Sequence, residues 1–168
     1  KEVLDPLTHP IPDRRYQAIG HLGKIGSKEV LPYLVKLFDH SEAEMIFYSL
    51  KALEGKATLD MLPKLNALAK HTNPSVRQAA AMAMSNLKEA EADLIPLCAD
   101  EDGLTKLSAA VALNRIGSDS CQVVFDELLS HEDFKVRSSM ARVLGKTPIP
   151  QRLRILTAAL LDSHSRVR

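Results

Sequence analysis

One spacing constrains this chain more than anything else in it. The segments PDRRYQAIGHL from Pro12, PSVRQAAAMAM from Pro74 and FKVRSSMARVL from Phe134 align without a gap. With Arg15 as the reference position, the equivalent residues are Ile46, Arg77, Lys106, Arg137 and Arg168, at intervals of 31, 31, 29, 31 and 31 residues. A unit of that length is too small to bury its own apolar face. Successive units must therefore stack and share a continuous core.

Within each unit the pattern is helical. Small or apolar residues stand three, four and seven places after the reference position: Ala18, Ile19 and Leu22, then Ala80, Ala81 and Met84, then Ala109, Ala110 and Leu113. This spacing predicts a buried stripe on an α-helix, helix A. A break follows (Gly26-Ser27, Gly117-Ser118, Thr147-Pro148), then a second apolar run such as VLPYLVKLF from Val30, helix B. Asn73-Pro74 reads as a capping side chain before a proline at the first helical position, and Ser41-x-x-Glu44 as a capping box. Pro32, Pro63 and Pro96 fall early in helix B, Pro96 two places late, in the short third unit. The units are expected at 9–39, 40–70, 71–99, 100–130 and 131–161, with partial ones at 1–8 and 162–168. No polar capping unit is visible at the C-terminal end, so the single solenoid domain is expected to be a fragment of a longer array.

Composition closes off several classes. The 168 residues are 45% hydrophobic, enough to bury a core, and 22 Lys and Arg nearly balance 21 Asp and Glu, which lacks the strong positive charge of a nucleic-acid binder. No apolar run approaches the ~20 residues of a membrane span, and no secretion signal is visible. Cys98 and Cys121 show no metal-ligand or C-x-x-C spacing, and we expect them to be buried free thiols in a reducing, cytoplasmic setting rather than a disulfide.

The run Asn73-Pro74-Ser75-Val76-Arg77-Gln78-Ala79-Ala80-Ala81 resembles the D-P-x-V-R-x-x-A-A signature of HEAT repeats, and the short period resembles their bacterial, phycobilisome-lyase-like subclass. The resemblance covers essentially the whole chain. It implies an all-α fold, a right-handed α-α superhelix of HEAT/armadillo type with five hairpins plus partial repeats at both ends, whose B helices line the concave side. The second and fourth units depart from the signature, with Met45-Ile46 and Thr105-Lys106 where Val-Arg is usual.

Six residues before each reference position stand His9, His40, His71, Asp100, His131 and Asp162. The family resemblance implies Asp here, accepting hydrogen bonds at the inter-repeat turn and pairing with a neighbouring Arg. A ladder of helices ~8–10 Å apart spaces these residues too widely to share one metal ion, so we read them as turn residues and assign no metal. His131-Glu132 is the only His-Glu pair, too few for the di-iron site of HEAT-like hydroxylases. His21 falls where other units have Ala52, Ala83, Ala112 and Val143, and is expected to be partly buried. Gly20, Gly23 and Gly26 read as close packing and helix termination. No nucleophile elbow, thiol–imidazole pair or phosphate loop is present, so no catalytic residue and no cofactor are assigned.

Two features suggest recognition. Residues 89–131 carry two positive and nine negative groups, against 12 and nine in residues 1–88 and eight and three in residues 132–168. The acidic block, with Glu91, Asp93, Asp126 and Glu127 on the B helices, is expected to attract a basic segment of a protein partner. Tyr16, Tyr33, Phe38, Phe47 and Tyr48 cluster before residue 49, and Tyr16 and Phe47 share one outward position on helix A; Tyr16, Phe47 and Tyr33 are the candidate anchors. The expected function is a non-enzymatic protein-binding scaffold or adaptor. The alternatives are a bilin-lyase-like role in tetrapyrrole attachment and, behind it, nucleic-acid binding through the basic C-terminal cluster.

Overall fold

The computed structural model describes residues 5–147, 149 and 151–168, and every regular element among them is helical. A short 3₁₀ helix, Asp5–Thr8, precedes five hairpins. They are α1 (Pro12–Ile25) with α2 (Leu31–Lys36), α3 (Ala43–Ala52) with α4 (Leu62–Leu68), and α5 (Pro74–Ala83) with α6 (Glu91–Leu94). Then come α7 (Gly103–Arg115) with α8 (Val123–Leu129), and α9 (Phe134–Leu144) with α10 (Arg152–Ala159). The expected tail of an earlier helix B at 1–8 lies partly outside the described residues, and Pro148 of the expected Thr147-Pro148 break lies outside them too.

The odd-numbered helices form one row, α1 on α3, α3 on α5 and α5 on α7, with the even-numbered ones behind; α9 packs mainly on α8 and α10. One hydrophobic cluster runs from Leu7 to Ile155 through all five hairpins. The middle helices α5 and α7 are enclosed on several sides, which is why they carry so many small residues: Ala79, Ala80, Ala81, Ala83, Ala109, Ala110 and Ala112 are all buried. At the α1–α3 contact a methyl group on Gly23 would stand 2.6 Å from Ala52 Cβ, so only glycine allows this approach, while Gly26, at φ 58°, closes the helix in the left-handed conformation.

Helix starts follow their capping side chains. Asn73 Oδ1 accepts the Ser75 N–H at 2.9 Å, Asp102 Oδ2 the Thr105 N–H at 2.7 Å, and Asp133 Oδ1 the Lys135 N–H at 2.8 Å. The Ser41-x-x-Glu44 capping box does not form: α3 is flanked by Glu42, without a side-chain capping bond, and His40 Nδ1 takes the Glu42 N–H at 3.0 Å. Pro32 and Pro63 sit in the first turns of α2 and α4. Pro96, coming late, splits helix B of the third hairpin into the single turn of α6 and a 3₁₀ helix, Ile95–Ala99.

Two further expectations are corrected. His21 is exposed, because no A helix precedes α1 among the described residues to cover the position that Ala52 occupies against Gly23. Cys98 and Cys121 are not free thiols: they form a disulfide with a Cα–Cα distance of 6.1 Å, within the span such bonds require. The 3₁₀ ending of the third hairpin carries Cys98 to the turn before α8. The thiol argument for a cytoplasmic setting falls with this. No helix among the described residues is long and apolar enough to cross a membrane.

Candidate functional site

The turn positions and the reference positions form one repeated device. His9, His40, His71 and His131 each accept, at Nδ1, the backbone N–H two residues on, at 2.9–3.1 Å. Asp100 and Asp162 do the same through Oδ1 at 2.8 Å, and each also receives a bidentate guanidinium from the preceding hairpin, Arg77 and Arg137. Arg77 and Arg137 further donate to the carbonyls of their own turns, His71 and Thr72 or His131 and Glu132. The Arg137 hydrogen bonds, with the His164 N–H, hold the Asp162 carboxyl down to about 2. Burial alone would raise the Asp100 carboxyl, but Arg77 and the Asp102 N–H outweigh it and keep it below the usual carboxylate range.

Arg15, which faces His40 where Arg77 and Arg137 face an Asp, is incompletely paired. Arg15 reaches Glu42 at 2.7 Å through Nη2, yet its buried Nε has no partner. His40→Asp is expected to place a carboxylate against Nε as Asp100 does for Arg77, raising stability by about 1 kcal/mol in urea unfolding. No change or a loss would mean that Arg15 cannot turn toward residue 40.

The acidic residues of the B side are largely committed internally. Asp126 pairs with Arg154, Glu127 with Lys106 at 2.5 Å, and Glu91 accepts the Ser118 hydroxyl at 2.6 Å. Asp100 is held by Arg77, and Asp102 caps α7. Asp93, half-buried on α6, has no ion pair among the described residues.

The aromatic residues divide. Tyr16 of α1 stacks on Tyr48 of α3 with ring centroids 4.5 Å apart, and Phe47 meets Tyr48 edge-on at 5.2 Å, all three half-buried. Tyr33 lies apart on α2, with the Lys36 ammonium 5.8 Å from its ring centroid. Tyr16 and Tyr48 line a pocket with Lys24, Lys51 and Lys56 on the outer side of the A helices.

From Lys51 a second depression of about 570 Å³ continues along that side to Lys146. Its apolar lining is Met82 of α5, Leu104, Leu107 and Val111 of α7, and Val143 of α9. Leu107 and Val111, 3% and 1% exposed, lie beneath its surface, Met82, Leu104 and Val143 are half-buried, and the A row is hollow at α7. One contact records that curvature: Arg115, ending α7, reaches past α5 to Glu54 after α3 at 2.7 Å, touching Ser85 at 3.3 Å on the way. Basic side chains edge the groove at Lys51, Arg115, Arg142 and Lys146.

Sequence reasoning looked for a trough on the B side and missed this groove. A signal was present: five places after the reference come Gly20, Lys51, Met82, Val111 and Arg142, and nine places after come Lys24, Arg115 and Lys146. These positions on helix A are basic toward the ends and apolar in the middle.

The stacked hairpins and shared core make the chain an α solenoid. A sequence profile of HEAT repeats matches residues 91–168, and one of PBS lyase HEAT-like repeats matches residues 14–40. The chain belongs to the HEAT-repeat family. No curated protein matches it. Two engineered proteins with crystal structures from the Northeast Structural Genomics Consortium resemble its fold. One is 22% identical with a TM-score of 0.54, over 99% of this chain and 92% of its own. The other is 20% identical with a TM-score of 0.52, over 99% and 90%.

Proposed function

We infer that this chain is a non-enzymatic scaffold that binds a segment of a partner protein in the groove of its A helices. The observation that carries the reading is the groove itself, an apolar floor that spans several hairpins and is bordered by charged side chains. The acidic residues of the B side support recognition less, since Asp126 and Glu127 already have basic partners within the chain. Tyr16 and Phe47 extend the same face toward the N-terminal hairpin, where they add aromatic surface beside the groove.

The test is site-specific photo-crosslinking in the native host. A photoreactive residue replacing Met82 in the groove is expected to capture a partner protein, and one replacing Asp93 on the B side is not. Adducts at Asp93 alone would overturn the groove and return recognition to the acidic surface of Glu91, Asp93, Asp126 and Glu127.

A further inference from the structure

Part of the charge in this molecule is settled within the chain. Arg15, Lys64, Arg77, Lys106, Arg115, Arg137 and Arg154 each have a carboxylate within 4 Å. The groove is bordered by cations that are not settled in this way. Its one carboxylate, Glu54, is taken by Arg115, while Lys51, Arg142 and Lys146 have no acidic partner among the described residues. Lys51 and Arg142 make only weak contacts, an ammonium 5.8 Å from the Phe47 ring centroid and a 3.3 Å bond to Ser139. Three uncompensated cations thus stand around a strip of methionine, leucine and valine.

On the strength of the scaffold reading above, we propose that the groove takes an acidic amphipathic helix, its apolar face on the half-buried Met82, Leu104 and Val143 and its carboxylates against Lys51, Arg142 and Lys146. The two halves of the site select this occupant together. The apolar floor calls for aliphatic side chains at helical spacing, and the rim calls for negative charge beside them. A single-stranded nucleic acid would satisfy the rim, but the floor offers no ring on which a base can stack. A basic segment would satisfy the floor and meet three like charges. Crossing the A row from α3 to α9 covers roughly 24–30 Å at a helix spacing of 8–10 Å, which about 16–20 residues of α-helix span.

Fluorescence anisotropy with synthetic 18-residue peptides tests this. The probes are a labelled helix with leucine on one face and glutamate on the other, the same helix with lysine for glutamate, a glutamate peptide without the leucine face, and a labelled oligo-dT. The leucine–glutamate helix is expected to bind with an affinity that falls as salt rises, and about tenfold more tightly than the lysine helix. Lys51→Glu/Arg142→Glu/Lys146→Glu, all exposed positions, should retain helical circular dichroism and reverse the preference. Equal binding of both helices, indifference to the triple substitution, or binding of oligo-dT in place of the helix would each overturn the proposal. If Met82 crosslinks to a partner while the peptides show no charge preference, the groove stands and the acidic occupant falls. If Met82 captures nothing and the leucine–glutamate helix also fails to bind, both readings fall.

Discussion

Asp100→Ala is expected to cost about 3–5 kcal/mol of folding stability. Arg77 and Asp100 meet through two hydrogen bonds of 2.8 Å, with side chains only 9% and 8% exposed. Removing the carboxylate leaves a guanidinium in a poorly hydrated place and also strips the Asp102 N–H of its acceptor at the turn entering α7. Urea unfolding of the full chain measures the loss. The double substitution Arg77→Leu/Asp100→Leu should recover much of it, since apolar side chains need no partner there. A single-variant loss below about 0.5 kcal/mol would mean that water reaches the pair and screens it.

Reduction of the Cys98–Cys121 disulfide is the second large effect. The bond ties the third hairpin to the fourth across a sequence separation of 23 residues, and opening a loop of that size releases chain entropy in the unfolded state worth about 3 kcal/mol. Urea midpoints with and without a thiol reductant should differ accordingly, and Cys98→Ala/Cys121→Ala should match the reduced protein and ignore the reductant. Coincident curves for oxidised and reduced protein would show that packing alone already restrains this stretch.

The fold was legible because its cause is periodic. The stripe at three, four and seven residues after the reference position marks the buried face of each A helix, and Asn73-Pro74 marks a real helix start. Features that depend on departures from the period were not. The disulfide joins residues at different places in their units, and it needs the 3₁₀ ending that the late Pro96 imposes on the third hairpin. The acidic block looked strong because a window of sequence leaves out partners from other hairpins. Arg77 reaches Asp100 from 23 residues back, and Arg154 reaches Asp126 from 28 residues on. The groove arises from how the A row bends, which no single unit encodes. Its basic edge could be read from Lys51, Arg115, Arg142 and Lys146, but its hollow could not.

The Arg115–Glu54 contact has a consequence for cooperativity. Solenoids are commonly treated as one-dimensional arrays, in which each unit feels only its two neighbours and unfolding can be written as a sum of local terms. Arg115 belongs to the fourth hairpin and Glu54 to the second, so this ion pair links units that are not adjacent, while Ser85 brings in the third. The disulfide adds a covalent link between the third and fourth. A description of hairpins two to four by nearest-neighbour terms alone therefore leaves out one contact, worth up to about 1 kcal/mol for a pair this exposed.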